Sequence, residues 1–240
     1  MLSSRMTKRD TRPDETPIPP TRERCFACYR PMSSCMCGEI RPIVTETRFI
    51  ILMFPKEFRK IKNGTGHLTR LSLPNSELYV GEDFSRHRRV NELIDDPQTD
   101  CFILYPGQES IVLNDTPIAR PGRKRVIFLI DATWPSSRRM LRLSKNLHAL
   151  PRVSFRTERL SQFKIKQQPK DYCLSTIEST QCVLELLAKN GDERIAPEAL
   201  ERFLSPFEAM VRYQIERLKT EHNVRYFDHA GAFKAKRGKR

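Results

Sequence analysis

Short apolar runs rich in β-branched and aromatic residues recur through the middle of the chain, at Arg48–Phe54, Glu77–Val80, Cys101–Tyr105, Arg125–Ile130 and Arg152–Phe155. Each predicts a strand. Three of them are apolar nearly throughout instead of alternating, as a strand covered on both faces of a parallel sheet must be. Between the runs the spacing turns helical. Arg86–Ile94 follows Ser85 as an N-cap, and Ser136–Leu147 follows Pro135, a residue suited to a first helical turn. The alternation predicts an α/β fold.

The last third is helical. Ser175-Thr176-Ile177-Glu178 has the Ser-x-x-Glu form of a capping box, and Gly191 is placed to end that helix. Ser205-Pro206-Phe207-Glu208 repeats the device, after which Phe207, Met210, Val211, Ile215 and Leu218 recur at helical spacing and define one apolar face. Gly64-Thr65-Gly66-His67 reads as a loop, since it lacks the third glycine of a dinucleotide-binding turn.

The chain has 240 residues, room for one domain with appendages. Residues 1–21, with Pro13, Pro17, Pro19 and Pro20 among charged and small polar residues, predict a disordered arm. Residues 22–42 form a cysteine-rich segment, 43–225 the main domain, and 226–240 a basic tail with Lys234, Lys236, Arg237, Lys239 and Arg240. The 43 Lys and Arg against 29 Asp and Glu leave a formal charge of +14, which points to a polyanionic partner, nucleic acid before membrane. The longest apolar run is Phe49 to Phe54, far short of the roughly 20 residues that span a bilayer. Met1–Asp10 lacks the apolar stretch of a secretory signal, so a cytoplasmic protein is expected.

Four of the seven cysteines, Cys25, Cys28, Cys35 and Cys37, fall within thirteen residues of turn-rich sequence. Such a loop can wrap its thiolates into the tetrahedral cage that zinc prefers, and a closed four-cysteine site holds structure without activating water. Cys101, Cys173 and Cys182 stand in apolar contexts that predict core packing. His67, His87, His148, His222 and His229 are scattered without metal-ligand spacing, so surface or satisfied core positions are expected.

Asp131 directly follows the apolar run Arg125–Ile130. In open α/β sheets, ligands bind outside the carboxyl ends of the strands, where a catalytic carboxylate belongs. On residue type alone, Asp131 and Thr133 are equally well read as caps of the following helix, and Trp134 as core.

The string Ile130-Asp131-Ala132-Thr133-Trp134-Pro135-Ser136-Ser137-Arg138-Arg139-Met140 resembles the signature of the DTW-domain family. So do the Cys25–Cys37 cluster with Arg30-Pro31, Met53-Phe54-Pro55-Lys56-Glu57, Tyr105-Pro106-Gly107, Glu158-Arg159-Leu160-Ser161 and Tyr172-Cys173-Leu174-Ser175-Thr176-Ile177-Glu178. Together they cover roughly residues 25–220 in the family's order. Ala132 stands where many members have Gly, and Phe54 where a His is common; Phe54 is assigned no chemistry.

The resemblance implies a SPOUT-like α/β fold, a mostly parallel sheet with helices on both faces and a C-terminal knot, behind an N-terminal four-cysteine zinc loop. It implies transfer of the 3-amino-3-carboxypropyl group of S-adenosylmethionine to N3 of a tRNA uridine. Asp131, Thr133 and Trp134 would be catalytic. Leu104, Pro106, Thr133, Leu160, Ser161, Ser175, Thr176 and Glu178 would hold the co-substrate. Arg138, Arg139, Arg159 and Lys164 would contact RNA phosphates. The implied partner is tRNA, with neither DNA nor membrane. Two other readings use the same residues: a SPOUT-type RNA methyltransferase, and a zinc-containing RNA-binding module without turnover.

Overall fold

The computed structural model describes residues 23–59, 64–163 and 173–220. The expected arm 1–21, the tail 226–240, Lys164, His222 and His229 lie outside them. Six strands form, β1 (Arg48–Met53), β2 (Ser76–Val80), β3 (Thr99–Leu104), β4 (Ile111–Val112), β5 (Lys124–Asp131) and β6 (Arg152–Ser154). Five match the apolar runs to within two residues at each end. The sixth, β4, has two residues, too few to show a period.

The strands make one sheet in the order β2-β1-β5-β3-β6-β4, and every pair is parallel. Eight α-helices accompany the strands among the described residues, the first five in the crossovers that parallel neighbours require and the last three after β6. They are α1 (Pro55–Phe58), α2 (Thr65–Ser72), α3 (Arg88–Asp95), α4 (Trp134–Leu143), α5 (Lys145–His148), α6 (Thr176–Lys189), α7 (Pro197–Arg202) and α8 (Ser205–Thr220). On one face of the sheet Phe49, Ile51, Ile127 and Leu129 pack with Ile177, Val183 and Leu187 of α6 and with Phe207 and Met210 of α8. On the other, Ile50, Leu52, Ile103 and Phe128 meet Val90 and Leu93 of α3, Met140 and Leu141 of α4, and Leu147 of α5. Both faces are covered, which is why the central strands carry no polar alternation.

Local chemistry explains where the elements begin and end. The capping box at α6 is complete, Ser175 and Glu178 each meeting the other's backbone, and Gly191 follows the helix at φ 76°. Elsewhere the starts move. Ser85 does not cap α3; His87 does, its Nδ1 accepting from Val90 N at 3.3 Å. The Ser136–Leu147 segment is two helices, because Ser144 leaves helical geometry (φ −88°, ψ 79°) and its Oγ accepts from Phe84 N at 2.9 Å. Helix α8 starts one residue early, since Glu208 N donates to Leu204 O. Gly64-Thr65-Gly66-His67 is no loop but the opening of α2, with Gly64 as its N-cap. No helix among the described residues is long and apolar enough to cross a membrane.

One polar cluster is buried at the amino edge of the sheet. Arg125 Nη2 lies 3.0 Å from Glu193 Oε1, both side chains being nearly inaccessible. Arg125 Nε donates to Thr47 Oγ1 at 2.8 Å, and Glu193 accepts from Glu46 N at 2.9 Å, Thr47 N at 2.6 Å and the Thr47 hydroxyl. The cluster thus ties the chain after α6 to the entry of β1. Glu193→Ala strands a buried guanidinium, so urea unfolding is expected to show a loss of about 3–5 kcal/mol. A loss under about 1 kcal/mol would show that the cluster contributes little.

Candidate active site

The parallel register brings the carboxyl ends of β1, β5 and β3 to one edge, with Met53 opposite Asp131 and Leu104 opposite Leu129. Asp131 is the last residue of β5 and is 8% exposed. Its Oδ1 accepts from Thr176 Oγ1, in the first turn of α6, at 2.7 Å, and its backbone oxygen accepts from Phe54 N at 3.0 Å. Thus Asp131 and Thr176, 45 residues apart in the chain, meet.

Gly66 is a site residue that the sequence pattern missed. A Cβ there would collide with Asp131 Oδ2 and lie 2.7 Å from Met53 Cε and 2.8 Å from Asp131 Cγ. Helix α2 therefore crosses the carboxylate at a distance only glycine permits. The available signal is the glycine itself, standing inside a segment whose pattern predicts a loop. Gly66→Ala must push α2 or Asp131 aside, and overpacking of this kind costs about 1–3 kcal/mol. A denaturant midpoint equal to that of the unsubstituted protein would contradict the close approach.

Thr133 caps α4, its Oγ1 3.0 Å from Ser136 Oγ and accepting from Ser136 N at 3.5 Å. The cap is therefore Thr133 and not Asp131, whose carboxylate meets Thr176 instead. Trp134 is 41% exposed, too open for a core residue, and stands edge-on to Tyr105 with ring centroids 6.0 Å apart. Tyr105 and the exposed Pro106 follow Leu104 at the end of β3.

The other expected segments meet on Glu178, which is buried. Its carboxylate accepts from Ser161 Oγ at 2.9 Å, Gln162 N at 2.7 Å, Ser175 N at 2.8 Å and Ser175 Oγ at 2.5 Å. Glu178 thereby clasps both ends of the stretch between Ser161 and Ser175, leaving Leu160 two-thirds exposed beside it. The expected RNA-contacting arginines differ from one another. Arg139 pairs with Glu82 at 2.7 Å and Arg159 with Glu185 at 2.8 Å, whereas Arg138 is exposed without an ion pair among the described residues.

Among the described residues, the Cys25, Cys28, Cys35 and Cys37 sulfurs are the group placed to hold a metal, all within 4.8 Å of one another. Cys25 Sγ lies 3.7 Å from Cys37 Sγ and Cys28 Sγ 3.8 Å from Cys35 Sγ. A tetrahedron of thiolates about 2.3 Å from a zinc ion has edges of about 3.8 Å, so the donors fit. Amide groups of Cys28 and Ala27 lower the Cys25 thiol to about 6, while burial pushes Cys37 up. The loop is anchored from beneath: Met36 is in the main core, and Arg30, also buried, donates to Met210 Sδ of α8 at 3.2 Å. Cys101 and Cys182 are buried as expected, Cys173 partly so. His67 is buried between Tyr29 and Phe58, as a core position, and is satisfied only in part: the Phe58 backbone is a hydrogen-bond partner of the ring, whereas Nε2 has none among the described residues. Burial lowers its pKa and keeps the ring neutral.

A parallel α/β sheet with a held carboxylate at its carboxyl edge, beside a closed four-thiol centre, defines a class of ligand-binding α/β protein. The DTW domain model matches residues 22–215, and the chain belongs to that family. It is 28% identical to tRNA-uridine aminocarboxypropyltransferase 2 of Drosophila melanogaster over 217 residues, 87% of this chain and 82% of the relative. To the protein of the same name from Mus musculus it is 30% identical over 214 residues, 85% and 69% of the two chains. To that of Macaca fascicularis it is 28% identical over 219 residues, 87% and 71%. No solved structure gives a significant match.

Proposed function

We propose that this protein is a cytoplasmic tRNA-uridine aminocarboxypropyltransferase, using S-adenosylmethionine as co-substrate. The observation that carries the reading is Asp131, held by Thr176 at the carboxyl edge of the sheet in a chain whose relatives bear that activity in their names. The uridine N3 attacks the γ-carbon of the methionine moiety, the bond from that carbon to sulfur breaks, and the sulfonium leaves as neutral 5′-methylthioadenosine. N3 of neutral uridine carries a proton, and Asp131 accepts it. Thr176 orients the carboxylate through its hydroxyl, Thr133 sets the start of α4, and Trp134 offers an exposed aromatic face for the base or the co-substrate.

Leu104, Pro106, Thr133, Leu160, Ser161, Ser175 and Thr176 line the co-substrate site in this reading, with Glu178 holding Ser161 and Ser175 in place. A SPOUT-like fold with a C-terminal knot accompanies it. Asn190 donates to Leu113 O at 2.8 Å, and Asp192 accepts from Ile118 N at 2.9 Å and Ala119 N at 3.1 Å, so the end of α6 is fastened to the loop after β4. Cys25, Cys28, Cys35 and Cys37 would hold zinc as a structural ion. Arg138, Arg139, Arg159 and Lys164 supply phosphate contacts, those of Arg139 and Arg159 in exchange for carboxylates.

Mass spectrometry of tRNA nucleosides from cells with and without the protein tests the activity. The reading expects 3-(3-amino-3-carboxypropyl)uridine to disappear with the protein and return on re-expression. An unchanged level of that nucleoside, or loss of a methylated nucleoside in its place, would refute it.

A further inference from the structure

Several arginines on this surface already have an acid. Arg88 pairs with Glu92, Arg89 with Glu77, Arg120 and Arg123 with Asp100, Arg139 with Glu82, Arg156 with Asp115 and Arg159 with Glu185. At one place, cations without such a partner share a single concavity. A cavity of about 490 Å³ opens beside Trp134, lined by Arg138 and Arg142 of α4, Lys145 and His148 of α5, Arg152 at the start of β6, and Tyr105. No carboxylate lines it, and none of its four permanent cations has an ion pair among the described residues. Four like charges converging on one concavity repel one another until an anion enters, so the arrangement raises the local concentration of anions.

One lining residue, Tyr105, is aromatic. The Arg152 guanidinium lies over the Tyr105 ring, 5.5 Å from its centroid, and Trp134 stands edge-on to the same tyrosine at 6.0 Å. A cation-rimmed hollow with a stacking surface is the combination that proteins use to track single-stranded nucleic acid. An acidic peptide would satisfy the cations but has no use for the ring pair. The cavity also adjoins the residues around Asp131, through Tyr105 and Trp134. A uridine delivered to Asp131 must leave its duplex or loop stack, and the phosphates flanking it then lie on the adjoining surface.

We propose that this cavity binds the RNA backbone next to the modified uridine, with Arg138, Arg142, Lys145 and Arg152 taking phosphodiester oxygens and Tyr105 stacking a neighbouring base. The proposal rests on tRNA being the substrate. It assigns Arg142, Lys145, His148 and Arg152 to the RNA path, none of which stands out from the sequence, and it ranks Arg138 above Arg139 and Arg159 because those two must first give up a carboxylate.

The test is the salt dependence of tRNA binding by the full-length protein, without turnover. Each phosphate contact contributes about 0.7–0.9 to the slope of log affinity against log salt. The double variant Arg142→Gln, Lys145→Gln removes two exposed cations, so its slope is expected to fall by about 1.4–1.8, with affinity at low salt at least tenfold weaker. The control, Arg88→Gln with Arg156→Gln, removes two exposed cations that are already paired, and its slope should change by less than half as much. Melting temperature and metal content should be unaltered in both. Equal slopes in the two doubles overturn the proposal. So does a cavity variant that loses binding of inorganic phosphate while its tRNA slope stays put, which would make the hollow a small-anion site. A flat salt dependence in the unsubstituted protein overturns it as well. Product formation is scored separately. A normal slope change without aminocarboxypropyl product removes the activity and keeps the RNA surface, and product without a slope change does the reverse.

Discussion

Asp131→Asn is expected to lower the single-turnover rate with saturating tRNA by about 10²-fold or more, the contribution of a positioned general base. The substitution keeps the size of the side chain and an oxygen to accept from Thr176 Oγ1, so the 2.7 Å contact survives. What it removes is the basic carboxylate. Helix capping does not complicate the result, because α4 is capped by Thr133, and the melting temperature should change little. Affinity for S-adenosylmethionine should also be nearly unaltered. Near-normal turnover would end the general-base role. Loss of co-substrate binding with an intact single-turnover rate at saturation would make Asp131 a ligand-binding residue, a carboxylate for the ammonium of the methionine moiety.

Removing the metal centre is expected to have the second large effect. The purified protein should carry one zinc ion per chain, and Cys28→Ser with Cys35→Ser should abolish it. An ion bound only to the folded state contributes about 4 kcal/mol when free metal is a thousandfold above Kd. In a domain of this size that corresponds to a fall in melting temperature of roughly 8–16 °C. The loss should spread beyond the loop, because Met36 and Arg30 connect it to the core and to Met210 of α8. Metal affinity should fall as pH falls, since each ligand must be a thiolate and protons compete for it. A chelator will therefore strip the ion faster at pH 6 than at pH 8. Substoichiometric zinc, or an unchanged melting temperature in the double serine variant, would contradict a structural metal.

Much of this architecture is legible in the residues. The uninterrupted apolar runs around Ile50 and Phe128 can be satisfied only by a sheet covered on both faces, and Ser175 with Glu178 marks the start of α6 through a side-chain exchange that is wholly local. The cysteine spacing likewise contains its own geometry. What stays hidden depends on contacts between distant segments. Ser85 has the residue type of a cap, but His87 is the residue whose side chain reaches Val90 N once it packs against Tyr79 and Phe84. Ser144 breaks a helix because its hydroxyl is claimed by Phe84, sixty residues away. Gly66 becomes a site residue only when α2 lies across the end of β5. Among the arginines, clusters along the sequence say nothing about which have acids opposite them, so Arg142 and Arg152 become prominent only in three dimensions.

The central claim, aminocarboxypropyl transfer and not methyl transfer, is tested most directly by incubating the purified protein with tRNA and S-adenosylmethionine and identifying both products by mass spectrometry. Attack at the γ-carbon predicts 5′-methylthioadenosine in equal amount with 3-(3-amino-3-carboxypropyl)uridine in the RNA. Formation of S-adenosylhomocysteine with a methylated nucleoside would contradict it, and so would tRNA binding with neither product.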